Sequence, residues 1–185
     1  MLKIMQWNAR SAISNKNSLS HFLSHNNIDI ALISESWFKP NQTVKFKGYS
    51  AVRTDRRDGK AGVAILVRQG ITYSHIDFDG SFNNDIMVCG CRISSGNDHI
   101  SFVSLYKPPN IHSTLSDWEA IITKASGSVV IGGDFNAHSA VWGSYREDAT
   151  GRQILELCEE SNLVILNSGP QQELLPLTFR LQRLI

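Results

Sequence analysis

The chain has 185 residues, 42% of them hydrophobic and 19% charged, with a formal net charge of +1. That balance excludes a disordered or collagen-like chain and a bulk-basic nucleic-acid binder, so any affinity for a polyanion must come from local patches. The length fits one compact domain, and three cysteines (Cys89, Cys91, Cys158) are too few and too odd for a disulfide framework.

Residues 1–10 lack the apolar run of a secretory leader, and no stretch is long and apolar enough for a membrane span. An intracellular protein with no membrane partner is the expectation. Leu2 to Trp7 predicts a first strand. Leu19, Phe22 and Leu23 share one face at helical spacing, and Asn26-Asn27 ends that helix. Ile28 to Ile33 is a short apolar run, read as a buried strand that delivers Glu35 at its C-terminal end. Residues 39–48 read as loop, with Pro40 and Gly48. Tyr49–Thr54 and Gly62–Val67 predict strands on either side of the polar turn Asp55-Arg56-Arg57-Asp58-Gly59-Lys60. Further strands are predicted at 71–77, 86–94 and 99–105, the span from Ile86 to Ile93 having one well-buried face. There Cys89 and Cys91 lie on the same side of the strand and read as core thiols. A helix fits Ser113–Lys124 with Leu115, Trp118, Ile121 and Ile122 inward; Ser116 and Asp117 fall in its first turn, where acceptors suit free backbone donors. Val129–Ile131 predicts another buried strand, Thr150–Glu160 a third helix and Leu163–Leu166 a last strand.

The run of consecutive strands in the middle excludes a simple doubly wound sheet. Several strands are apolar throughout and need cover on both faces. Two packed sheets with helices outside, an α/β/β/α four-layer sandwich, satisfy both conditions.

Polar residues follow four of these strands: Asn8, Glu35, Tyr106 and the pair Asp134/Asn136. Strand ends in layered α/β proteins converge on a rim where ligands bind. Taken alone each has a structural reading: a turn cap for Asn8, a solvated strand exit for Glu35, a packing residue for Tyr106, a turn for Gly132-Gly133-Asp134-Phe135-Asn136. Together, carboxylates and an amide at separate strand ends form an oxygen-donor set that suits a hard cation such as Mg²⁺.

The ordered set Gln6-Trp7-Asn8, Glu35, Tyr106-Lys107-Pro108-Pro109 and Gly132-Gly133-Asp134-Phe135-Asn136-Ala137-His138 resembles the endonuclease/exonuclease/phosphatase superfamily. Asp134-Phe135-Asn136-Ala137-His138 followed by Trp142-Gly143-Ser144 and then Gly151-Arg152 narrow the resemblance to the apurinic/apyrimidinic-endonuclease-like domains of non-LTR retrotransposons, as do Arg56 and Gly59 to Val67. The resemblance covers roughly residues 1–170 and implies a DNase I-like fold. It also implies a Mg²⁺-dependent (or Mn²⁺-dependent) phosphodiesterase that nicks DNA, nuclear and monomeric, with no small-molecule cofactor. Carried over by position, it gives Glu35 to the metal, with Asn8 beside it or holding it by hydrogen bonds. Asp134 activates the attacking water. Asn136 contacts the scissile phosphate or steadies Asp134, and Tyr106 contacts the phosphate through its hydroxyl. Arg53, Arg56, Arg57 and Lys60 read either as a solvated turn or as contacts to the nucleic-acid backbone. Trp142 reads either as core packing or as a wedge against DNA, and His138 either as a ligand or general acid or as a structural or solvent-exposed loop residue.

Two later elements of the superfamily pattern, an Asp in Ser-x-Ile-Asp-Leu-x and a terminal Ser-Asp-His, have no counterpart: no Asp follows Asp148 and no His follows His138. The reading is therefore an incomplete domain over 1–170, truncated before its last strands, with a divergent tail over 171–185. The alternatives to a nicking enzyme are a catalytically dead remnant that binds nucleic acid or does nothing, and another phosphatase or phosphodiesterase of the superfamily.

Overall fold

The computed structural model describes residues 2–78, 80, 82–96, 98–166 and 178–181. One four-stranded sheet is built from β1 (Ile4–Asn8), β2 (Ile30–Ser34), β3 (Tyr49–Thr54) and β4 (Val63–Arg68), in the order β1-β2-β4-β3. A six-stranded sheet contains β5 (Ser74–Ile76), β6 (Met87–Ser95), β7 (Asp98–Tyr106), β8 (Ser128–Asp134), β9 (Leu163–Ile165) and β10 (Thr178–Leu181), in the order β5-β6-β7-β8-β10-β9. Helix α1 (Lys16–His25) covers the first sheet; α2 (Leu115–Ala125) and α3 (Ala149–Glu160) cover the second. The predicted four-layer α/β/β/α sandwich is the observed one.

Three apolar layers hold it together, as burial of both sheet faces requires. Between the sheets, Ile30, Leu32, Ile65 and Val67 meet Cys89, Cys91, Phe102 and Val130. Outside the second sheet, Trp118 and Ile121 of α2 and Ile154 and Leu157 of α3 pack on Val103, Leu105 and Ile131. Leu19 and Leu23 of α1 pack on Ala31, Ile33 and Leu66. Sheet-to-sheet hydrogen bonds add register: the Ser104 hydroxyl donates to the Ile33 carbonyl at 2.9 Å and the Thr54 hydroxyl to the Val88 carbonyl at 2.7 Å. A capping box starts α2, with Thr114 and Asp117 satisfying each other's backbone N–H groups.

Some elements differ from expectation. Phe22 is 48% exposed, because the buried stripe of α1 centres on Leu19 and Leu23. The span 86–93 is buried on both faces, Val88 beneath α2 and α3 and Met87, Cys89 and Cys91 between the sheets. Gly132-Gly133 is strand, not turn, so β8 runs on to Asp134. A side chain at Gly132 would strike Leu32 and Gln6 of the other sheet, and one at Gly133 would overlap the Leu105 carbonyl of the neighbouring strand. Glycine here lets backbones approach and carries Asp134 to the rim. The boundary predicted at residue 170 lies outside the described residues; of the predicted tail, 178–181 form β10, antiparallel to both β8 and β9.

Candidate active site

Parallel pairing aligns the ends of the strands that matter. In the first sheet Asn8 of β1 is in register with Ser34 of β2, so Asn8 and Glu35 leave their strands side by side. In the second, Tyr106 of β7 is in register with Asp134 of β8. The two sheets pack face to face, which brings these ends together. One nitrogen joins them: Asn8 Nδ2 donates to Glu35 Oε1 at 2.7 Å and to Asp134 Oδ2 at 2.8 Å. The other end of that amide, Oδ1, accepts from the Arg10 backbone N–H at 3.2 Å.

Asp134 is held from below as well. Its Oδ1 accepts from the Asn136 backbone N–H at 3.1 Å, while Asn136 Nδ2 donates to the Lys107 carbonyl at 2.8 Å. The predicted residues Asn8, Glu35, Tyr106, Asp134 and Asn136 thus share one rim. Glu35 and Asn136 adopt left-handed backbone, at φ 50° and 42°, and Trp37 does so at φ 56°. A non-glycine residue held there costs on the order of 1–3 kcal/mol, and such outliers gather at functional sites. The surrounding bonds impose it: the Glu35 carbonyl accepts from Ser11 N–H, and Ser36 and Trp37 N–H groups donate to the Gly62 and Ala61 carbonyls.

Electrostatics follow from this crowding. Burial pushes the Asp134 carboxyl above the usual carboxylate range, and the Glu35 charge adds to the rise; the Asn136 N–H, the Asn8 amide and the Arg10 charge oppose it. Burial, then the Glu35 and Asp134 charges, also raise the Tyr106 phenol, against a lowering by Arg56. Lys107 is 2% exposed, and burial lowers its ammonium while Asp148 and Asp134 pull it back up. Lys107 carries no signal in the sequence: nothing in a lone lysine after a strand marks burial, which is rare for that residue. Glu35 and Asp134 are the carboxylates that could offer oxygens to a cation; among the described residues no cluster of three or more His, Cys, Asp or Glu is placed to hold one.

The residues read as possible nucleic-acid contacts divide. Trp142 is completely buried and its indole N–H donates to the Ala137 carbonyl at 3.2 Å, so it has no surface to present to DNA and the wedge reading is withdrawn. The Arg53 guanidinium is used internally: it pairs with Asp55 at 3.2 Å, donates to the Gln42 carbonyl at 2.8 Å and lies over the Phe38 ring. Arg56, Arg57 and Lys60 are exposed on the turn that bonds to the Glu35–Trp37 segment, Arg56 pairing with Asp58 at 2.8 Å. His138 is half-buried, its Nε2 2.9 Å from the Arg146 guanidinium.

Comparison with known proteins agrees with this picture. A family model described as endonuclease-reverse transcriptase matches residues 100–176. The RNA-directed DNA polymerase from mobile element jockey of Drosophila funebris is 27% identical over 170 residues, covering 91% of this chain and 18% of that protein. The probable RNA-directed DNA polymerase from transposon X-element of Drosophila melanogaster is 26% identical, covering 91% and 19%. The chain therefore spans about a fifth of the length of the curated relatives it matches. Among solved structures, the endonuclease domain of TRAS1, a telomere-specific non-LTR retrotransposon, superposes with a TM-score of 0.76 at 28% identity, covering 98% of this chain and 85% of that one. AP endonuclease LMAP from Leishmania major shares the fold, with a TM-score of 0.71 at 13% identity, covering 97% and 78%. By its layered fold, the order of its motifs and these likenesses, the chain is similar to the endonuclease domains of non-LTR retrotransposons, on a fold that AP endonuclease shares.

Proposed function

We propose that the chain is a divalent-metal-dependent phosphodiesterase of nuclease type that nicks DNA. One observation carries this reading: two carboxylates from different sheets, Glu35 and Asp134, are held against each other by a single amide. Like charges brought this close raise each other's energy, and a divalent cation is the natural compensation. The donor set fits Mg²⁺ or Mn²⁺, which take one or two carboxylates and complete their shell with water and phosphate oxygens. Glu35 would hold the ion, with Asn8 fixing the carboxylate rather than ligating through its NH₂. When bound, the metal supplies Lewis-acid polarisation of the phosphate.

The chain's own residues supply the rest. Asp134, shifted upward and anchored at both oxygens, is suited to orient a water and take its proton. Tyr106 keeps its proton, since burial and the two carboxylates disfavour phenolate, and so donates to a phosphate oxygen without repelling it. Asn136 steadies Asp134 through its backbone, and one proton of its NH₂ remains beyond the bond to Lys107. The exposed Arg56, Arg57 and Lys60 suit backbone phosphates beside the scissile bond. DNA as substrate rests on the likeness to the TRAS1 endonuclease domain, and a nuclear, monomeric protein goes with it. A second reading, nucleic-acid binding without turnover, is favoured by the sparse ligand set of two carboxylates.

The test is conversion of supercoiled plasmid to nicked circle by the purified chain. Nicking in Mg²⁺, abolished by EDTA and by Glu35→Ala, is the expected result. DNA binding with no nicking above the Glu35→Ala background would support the second reading instead.

A further inference from the structure

The loop that leaves the rim after Asn136 is a braced scaffold displaying an aromatic ring. Asp148 closes it: the Asp148 N–H donates to the His138 carbonyl at 3.1 Å, and Asp148 Oδ1 accepts from the His138 N–H at 3.2 Å and the Gly151 N–H at 2.7 Å. A side chain at Gly151 would overlap the His138 carbonyl, so α3 packs directly on the loop base. Trp142 anchors the middle in the core, and Ser144 N–H donates to the Ser139 carbonyl at 3.1 Å. From this frame Tyr145 stands wholly in solvent, at 109% of the reference exposure, with Val141 59% exposed and Arg146 exposed beside it. Guanidinium nitrogens only donate, so in this contact Arg146 is the donor and His138 Nε2 the acceptor. Arg146 is thereby held in place with its charge uncancelled by that partner.

A single exposed hydrophobic residue is ordinary. An exposed tyrosine on a loop locked at its base, next to a positioned arginine and a few residues from the catalytic cluster, is a recognition surface. Its chemistry matches a sugar–phosphate polymer: a π-face for a sugar or base, a cation for the adjoining phosphate.

Resting on the phosphodiesterase reading above, we propose that the 139–147 loop is a DNA-reading element. Tyr145 packs on the sugar–base surface of the duplex flanking the scissile phosphate, and Arg146 binds its backbone. The side chains that reach the substrate thus come from loops of both sheets, Arg56 and its neighbours on one side and Tyr145–Arg146 on the other.

The test compares the whole chain with Tyr145→Ala, Tyr145→Trp and Arg146→Ala. Binding to a short labelled duplex is followed by fluorescence anisotropy in EDTA over a range of salt, and nick positions are mapped on the same duplex in Mg²⁺. Tyr145→Ala should lose about tenfold in affinity, and Tyr145→Trp should retain it. Arg146→Ala should lower the salt slope by about one. Tyr145→Ala should also redistribute nicks among base steps. Circular dichroism should be unchanged, as the ring touches no core. Wild-type affinity in both alanine variants would overturn the proposal, as would a wild-type chain that binds no duplex or binds only protein. If wild type binds without nicking while Tyr145→Ala loses affinity, this inference stands and the catalytic reading fails. If nicking is intact and Tyr145→Ala changes nothing, the reverse holds.

Discussion

Glu35 and Asp134 accept hydrogen bonds from the same nitrogen, Asn8 Nδ2, although Glu35 follows a strand of one sheet and Asp134 ends a strand of the other. That nitrogen sets the spacing of the two carboxylates. Asn8→Ala removes both bonds, frees the carboxylates to separate and takes away one influence that lowers Asp134. Misplacing reacting groups by about 1 Å can cost about 10²-fold in rate, and a loss of that order is expected in plasmid nicking. Asn8→Asp, which adds a third negative charge, should do worse unless the metal concentration is raised.

Charge crowding at the rim predicts a trade between stability and function. Glu35→Gln removes one of the influences that raise Asp134. In EDTA its Tm should match wild type or exceed it by roughly 1–3 °C. In Mg²⁺ at about 100 times its Kd, wild type gains about 2.7 kcal/mol, or roughly 5–10 °C, and the variant should gain almost nothing. Differential scanning calorimetry with and without EDTA checks both halves.

Tyr106→Phe keeps the ring and removes the donor. Its effect should fall on kcat, by about 10²-fold, with little change in KM. Because the folded-state phenol titrates above its ordinary value, the neutral form is the one the fold favours. Its contribution to stability is complete below the ordinary phenol pKa and is lost as pH rises through the raised one. Chemical denaturation in that alkaline window should show a decline in wild type that is smaller in Tyr106→Phe.

All three thiols are free and buried. Burial holds Cys89 well above the usual thiol range, Cys91 up at about 12 and Cys158 up at about 11. Thiolate is the reactive species. A thiol-exchange reagent at mildly alkaline pH should therefore leave the native chain untouched and react with all three cysteines in denaturant. Rapid reaction of Cys89 or Cys91 in the native state would contradict the packing between the sheets, and rapid reaction of Cys158 the packing of α3 on the second sheet.

Periodicity made the layers readable. The uninterrupted apolar runs at Ile30–Ile33 and Val63–Val67 demanded cover on both faces, and two stacked sheets are the arrangement that gives it. The clustering of Asn8, Glu35, Tyr106, Asp134 and Asn136 followed from strand ends sharing a rim. Less was legible where tertiary contact overrides local preference. Gly132-Gly133 looks like a turn, yet it is strand because Leu32, Gln6 and the Leu105 carbonyl occupy the space a side chain would need. Arg53 looks like a surface cation until the loop at Gln42 folds over it. Lys107, beside a Pro-Pro pair, gave no hint of burial, and the left-handed backbone at Glu35 depends on bonds from Ser11, Ser36 and Trp37 that no local pattern encodes.

Mn²⁺ binding followed by electron paramagnetic resonance tests whether a single divalent ion is held where Glu35 and Asp134 converge. One tight site per chain is predicted, weakened at least tenfold by Glu35→Gln and competed by Mg²⁺. Unchanged Mn²⁺ binding in Glu35→Gln, or none in the wild-type chain, would contradict it.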